Sequence, residues 1–177
     1  VELLDIYARR QSKKGFKYKI ENEQYNKFSG SFPFEETADQ ENTIEAVLED
    51  MQSKRTMDRL VCGDVGFGKT EVAMRAAFVA VQNYKQVAVL VPTTLLAQQH
   101  VQSFKDRFAK WPVVIDVISR FKSTSEQRKS VQKVIDGKVD ILIGTHKLLH
   151  VDIDFHNLGL LIIDEEHRFG VRQKEKL

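Results

Sequence analysis

The amino-acid sequence predicts an α/β fold: a mostly parallel sheet with helices on both faces, preceded by an N-terminal helix and a linker. Three observations carry this. Short apolar runs alternate with longer segments of helical period from Arg59 to Ile163. The short runs are almost continuously apolar, as strands covered on both faces are. Polar clusters follow those runs directly, where open parallel sheets place their ligands, at the carboxyl ends of the strands.

Taken in order, residues 1–14 carry Leu3, Leu4, Tyr7 and Ala8 at helical spacing, which predicts an amphipathic helix ending near Gly15. Residues 15–32 are polar and aromatic without a period, so they read as an extended linker with a short helix near 23–28. Phe32-Pro33-Phe34 closes the linker, because the residue before a proline is held extended. A helix starts at Thr37, and Ile44, Val47, Leu48 and Met51 form its buried face. Arg59-Leu60-Val61-Cys62 is expected as a central strand, followed by an alanine-rich helix over 71–82. Strands are expected at 86–91, 113–118, 140–143 and 160–163, with helices at 94–108 and 124–136, the second closed by Gly137.

A length of 177 residues suffices for one domain with a sizeable core plus an appendage, and we divide it at 1–31 and 32–177. A 42% hydrophobic and 29% charged composition is ordinary for a soluble globular protein. No apolar run approaches the roughly 18 residues that a membrane span requires. The start Val1-Glu2-Leu3-Leu4-Asp5 shows neither a secretory leader nor an initiator Met, which suggests a piece of a longer chain. The single cysteine, Cys62, excludes an internal disulfide and fits a reducing compartment, so a cytoplasmic location is expected. Its place in the expected strand predicts a buried, inert thiol. A net charge of +2 gives no bulk electrostatic argument for nucleic acid, so any such contact must be local. The basic excess in the first 30 residues reads as a solvated helix and linker.

Gly63-Asp64-Val65-Gly66-Phe67-Gly68-Lys69-Thr70 fits the pattern G-x-x-x-x-G-K-[ST] at every fixed position. Glycines let such a loop curl so that successive backbone amides face phosphate oxygens. Lys69 brings a mobile positive charge to the β- and γ-phosphates of a nucleoside triphosphate, and the Thr70 hydroxyl suits Mg²⁺. The helix that follows adds the positive end of its dipole. A second cluster, Asp164-Glu165-Glu166-His167, follows the last apolar run. In a fold of this kind, Asp164 reaches Mg²⁺ through its waters, and Glu165 orients or deprotonates the attacking water as general base. His150, Asp152, Asp154 and His156 alternate with apolar residues. We read them as the wet side of a short edge segment with Val151, Ile153 and Phe155 beneath, rather than as a metal site.

Asp164-Glu165-Glu166-His167 is a DExH box, and with the phosphate loop it resembles the superfamily 2 helicases and translocases, whose motor lobes are RecA-like P-loop NTPases. Three further runs are similar to the RecG/Mfd branch: Val91-Pro92-Thr93-Thr94-Leu95-Leu96-Ala97-Gln98-Gln99-His100, Gly144-Thr145-His146-Lys147-Leu148-Leu149 and Arg168-Phe169-Gly170-Val171. Phe67, the run from Glu71 to Phe78 and Leu3-Leu4-Asp5-Ile6-Tyr7-Ala8 look more like the Mfd-type members. The resemblance covers nearly the whole chain.

It implies the first RecA-like lobe of an ATP-dependent double-stranded DNA translocase with ATP and Mg²⁺ as cofactors, in a bacterial cytoplasm. Mfd-type members displace stalled RNA polymerase and recruit nucleotide-excision-repair factors through other domains. It also implies an adenine-reading segment, with Gln40 on the base edge and Phe34 or Phe32 on its face. Aromatic stacking and the two-way hydrogen bonding of an amide suit those roles. Without the family, Gln40 reads as a helix-surface residue and the phenylalanines as core. Thr93, Thr94, Arg120, Thr145, His146 and Lys147 are similar to residues that grip one strand of the duplex, and capping is the competing role of Thr94. His167 looks like a link between the nucleotide site and the DNA-facing loops. The arginines that meet the γ-phosphate belong to a second lobe, so residues 1–177 alone are expected to be nearly inactive. A RecG-type fork-remodelling lobe, a non-catalytic nucleotide- or DNA-binding module and a small P-loop kinase are the alternatives.

Overall fold

A computed structural model describes Ala8 and residues 12–63, 68–151 and 153–164. Most of the helix expected over 1–14 lies outside these residues, as do Asp64, Val65, Gly66, Phe67, Asp152 and everything from Glu165 onward. The chain divides into two compact units, residues 1–79 and 80–177.

In the first unit, the backbone at 14–18 is tied down rather than loose. Lys14 and Arg55 form an antiparallel bridge, the Gly15 amide donates to the Lys54 carbonyl at 2.9 Å, and the Tyr18 amide donates to Met51 at 2.9 Å. Burial pushes the Tyr18 phenol up to about 12. Helix α1, Asn22–Gly30, stands where the short linker helix was expected. It buries Phe28, whose ring stacks on Phe78 with centroids 4.2 Å apart.

Helix α2, Ala38–Gln52, opens with a full capping box. The Thr37 hydroxyl accepts from the Gln40 amide while the Gln40 side-chain oxygen accepts from the Thr37 amide, so two otherwise unpaired N–H groups are satisfied together. Ile44, Val47 and Met51 form its buried face, as the spacing predicts. Helix α3, Lys69–Gln82, follows the phosphate loop. Its inward residues are mostly small or β-branched, with Ala76, Ala77, Val79 and Ala80 buried.

The strand expected at Arg59-Leu60-Val61-Cys62 is not formed. Residues 56–63 carry no sheet pairing, Leu60 is 68% exposed and Cys62 is exposed as well. An extended run becomes a strand only through a lateral ladder, and three apolar residues bring too little side-chain burial to hold one place without it. Its start is held instead by a side chain, since Arg59 Nε lies 2.5 Å from Asp50 Oδ2. The expectation of a buried Cys62 falls with the strand.

The second unit is a parallel α/β sheet. Its strands are β1 (Gln86–Leu90), β2 (Ile115–Ile118), β3 (Ile141–Gly144) and β4 (Leu158–Ile163), in the order β2-β3-β1-β4. All three pairings are parallel. Parallel neighbours require long crossovers, and helices α4 (Thr94–Arg107), α5 (Thr124–Ile135) and α6 (Lys147–His150) lie in these connections. β1 and β3 are buried at every position, which explains their continuous apolar sequences. Leu90, Ile118, Val134, Val139, Leu142 and Leu148 belong to one core cluster, with Ile153 and Phe155 packed on it as expected. The segment expected at the edge is not a strand, since His150 ends a helix and residues 153–155 carry no sheet pairing. Helix α5 ends at Gly137, whose φ of +72° is the left-handed value that a glycine takes without strain. Helix α6, only four residues long, is not among the expected elements, because one turn is too short to show a helical period.

Candidate functional site

The parallel sheet places four polar segments at one edge, because each follows the carboxyl end of a strand. Pro92-Thr93-Thr94 follows β1, Ser119-Arg120-Phe121 follows β2, Thr145-His146-Lys147 follows β3 and Asp164 follows β4. Sequence order leaves β1 with the later strands on both sides of it, the topological switch at which such sheets bind ligands. The Asp164 amide donates to the Leu90 carbonyl at 2.9 Å, which pins the end of β4 to the end of β1.

Each segment has a distinct local structure. The Thr93 hydroxyl accepts from the Leu96 amide and caps α4, so the capping role expected as an alternative for Thr94 falls to Thr93. Thr94 is the first helical residue and is half-buried. Arg120 is exposed, with its guanidinium 5.6 Å from the Phe121 ring, and Phe121 is itself 62% exposed. Beneath them, Ser119 is buried and its carbonyl accepts from the Lys122 amide and the Gln127 side chain. Thr145 is buried, His146 is exposed and Lys147 is half-buried.

Asp164 carries a contact that the sequence did not disclose. His100, on α4, places Nε2 2.9 Å from Asp164 Oδ2, with side chains 12% and 33% exposed. His100 Nδ1 is buried with no hydrogen-bond partner among the described residues. A proton on Nε2, donated to the carboxylate, leaves Nδ1 as a bare acceptor, which is cheaper to bury unpaired than an N–H. The alternation of His100 with its helix neighbours gave no sign of this, since the contact spans 64 residues.

In the first unit, Gly63, Gly68, Lys69 and Thr70 of the phosphate loop are described. Gly68 has φ +77°, and a Cβ built there would collide with the Gln40 amide nitrogen. Lys69 Nζ donates to the Gly63 carbonyl at 2.6 Å, so its ammonium folds back across the loop. The Glu71 amide donates to the Gly68 carbonyl at 2.9 Å, which starts α3 immediately after the loop and leaves the Lys69 and Thr70 amides at its positive end. These donors fit a polyphosphate, and the Thr70 hydroxyl of this unit is a hard oxygen donor of the kind that suits Mg²⁺. Among the described residues, no cluster of His, Cys, Asp and Glu has metal-binding geometry.

Gln40 sits over Gly68 while its oxygen serves the capping box. Phe34 is 71% exposed and its ring meets Phe32 edge-on at 5.6 Å, so Phe34 rather than Phe32 presents an open face. The segment carrying them is anchored by Arg75 on α3. Burial alone would lower the Arg75 pKa, but hydrogen bonds to Glu71, Tyr25 and Glu36 outweigh it and hold the guanidinium firmly protonated. Arg75 Nε meets Glu71 at 2.6 Å, its terminal nitrogen meets Glu36, and its guanidinium carbon lies 5.9 Å from the Phe32 ring. The amino-acid sequence carries no local signal for this role of Arg75, since Glu36 stands 39 residues away. Glu165 and His167 lie outside the described residues.

The family model for the DEAD/DEAH box helicases matches residues 37–177. The chain is 66% identical over 176 residues to the transcription-repair-coupling factor of Haemophilus influenzae, and 50% identical to that of Bacillus subtilis. Each match covers 99% of this chain and 15% of the relative, so the chain spans about one-seventh of those proteins. Among solved structures, RecG bound to a three-way DNA junction superposes with a TM-score of 0.86 at 37% identity, covering 94% of this chain and 23% of that one. The UvsW helicase of bacteriophage T4 shares the fold at a TM-score of 0.66 and 16% identity. With a parallel sheet, a phosphate loop opening a helix and a matching model over most of its length, the chain belongs to the DEAD/DEAH box helicase family.

Proposed function

We propose that the chain is the nucleotide-binding lobe of an ATP-dependent double-stranded DNA translocase, and that the whole protein couples transcription to DNA repair by displacing stalled RNA polymerase. The observation that carries the motor reading is the common edge at which the segments after all four strands emerge. The curated relatives, named for coupling transcription to repair, support the cellular role, and RecG on a DNA junction supports duplex DNA as the track.

The reaction is transfer of the γ-phosphoryl group of ATP to water. Lys69 and the amides of the loop bind the phosphates, and Phe34 and Gln40 receive adenine on its face and edge. Thr70 and Asp164 supply oxygen donors for Mg²⁺, which when bound neutralises charge on the phosphate oxygens. Glu165 orients the attacking water and takes its proton. Thr93, Thr94, Arg120, His146 and Lys147 meet the phosphates of one DNA strand, with Thr145 buried beneath its loop.

Substitution of Lys147 by Ala in the complete protein tests the track. We expect weaker duplex binding of every sequence alike, with the slope of log K against log salt reduced by about 1. A sequence-dependent loss, or an unaltered slope measured by fluorescence anisotropy, contradicts a phosphate contact.

A further inference from the structure

We propose that His100 is a positioning residue that ties the DNA-gripping end of α4 to the carboxylate of Asp164, and so transmits duplex binding to the metal end of the nucleotide site. The inference rests on the proposed roles of Thr93 and Thr94 at DNA and of Asp164 at Mg²⁺.

Two contacts to described residues tie Asp164 to β1 and to α4. Its amide is bonded to Leu90 at the end of β1, and its Oδ2 to His100 on α4. The same two elements flank Thr93, which caps α4 three residues after β1 ends. A helix advances about 1.5 Å per residue, so His100 stands roughly 9 Å along the axis from Thr94. A shift of the helix start on gripping a phosphate therefore moves the group bonded to Asp164 Oδ2 with it.

The ring's surroundings argue against a plain core role. His100 is largely buried and its Nδ1 has no partner among the described residues. A leucine or methionine would fill the same space beside Phe104 without burying an unpaired nitrogen. Among the described residues, the ring's polar contact is with Asp164, and that contact is what the imidazole contributes.

The test uses the complete protein and measures its affinity for duplex DNA with and without Mg²⁺ and a non-hydrolysable ATP analogue. The ratio of the two dissociation constants is the coupling, and it is reciprocal. We expect a ratio that departs from one by about fivefold or more, and collapses to within about twofold of one in His100→Asn. The Asn amide nitrogen stands near the Nδ1 position and falls short of Asp164. His100→Gln, whose amide nitrogen stands near the Nε2 position, retains most of the ratio. An unaltered ratio in His100→Asn, an equal loss in His100→Gln, or no coupling in the unsubstituted protein overturns the proposal.

Two further variants separate this from the underlying reading. Thr93→Val with Thr94→Val must weaken duplex binding without nucleotide, and Asp164→Asn must weaken the Mg²⁺ dependence of nucleotide binding. If either fails, the role of that residue is wrong. If both hold and the His100 ratios do not move, the link alone is wrong.

Discussion

Gly68 and Lys69 illustrate what one residue decides. The backbone at Gly68 is left-handed and the Gln40 side chain fills the space above it. Gly68→Ala thus meets a strained φ and a collision together, at a cost of about 1–3 kcal/mol. We expect it to lower ATP affinity as well, because the loop or Gln40 must move. Isothermal titration with Mg·ATP checks this, and an affinity within twofold of the parent contradicts it. The phosphate loop was legible because its chemistry is local: glycines, a lysine and a threonine at fixed spacing. The contacts of His100 with Asp164 and of Arg75 with Glu36 were not, because they span 64 and 39 residues and no periodicity encodes such pairings.

At the scale of elements, buried polar side chains hold the connections together. Gln86, the first residue of β1, is 6% exposed and uses both ends of its amide. Its nitrogen donates to the Val134 and Val139 carbonyls at 2.9 Å each, and its oxygen accepts from the Asn157 amide at 2.9 Å. One side chain thus ties the end of α5, the approach to β3 and the turn before β4 to the sheet. Gln86→Leu removes the side-chain partner of the Val139 carbonyl and the Asn157 amide, while the Val134 carbonyl keeps the Gly137 amide at 3.0 Å. It is expected to cost about 2 kcal/mol, at 1–3 kcal/mol for each buried group left unsatisfied. A drop of under 0.5 kcal/mol in urea unfolding would contradict that role.

Asp116 on β2 gives the second unit a dependence on acid. Burial would raise its pKa, but hydrogen bonds from Lys122, Ser130 and the Val117 amide outweigh this and hold it below the ordinary carboxylate value. Lys122 Nζ approaches it at 2.5 Å and also reaches Ser130 at 2.7 Å. A carboxyl depressed by folding adds stability that is fully present above its unfolded value, about pH 4, and is lost as pH falls through the folded one. Asp116→Asn should therefore destabilise the protein by about 1–2 kcal/mol at pH 7, with the difference shrinking as pH drops below about 4. Thermal unfolding across pH 2–7 reads this directly, and a difference independent of pH contradicts it. The elements themselves were largely legible. Four strands and helices α4 and α5 follow from apolar runs, from helical periodicity and from Gly137, whereas the short helix α6 carries no such signal.

At the largest scale, the parallel sheet of the second unit explains why polar segments far apart in sequence emerge together. Strands buried on both faces must be covered by crossover helices, and parallel pairing then sends every strand end to one edge. The sequence showed polar residues after each apolar run, and the sheet order shows why they share a side. It did not show the state of Leu60, Val61 and Cys62, because a short apolar run has no intrinsic strand structure and depends on what lies beside it. The most direct measurement is steady-state ATP hydrolysis by the complete protein, with and without duplex DNA. The motor reading predicts hydrolysis that duplex DNA stimulates and that Lys69→Ala abolishes under both conditions. Hydrolysis indifferent to duplex DNA, or surviving Lys69→Ala, would contradict it.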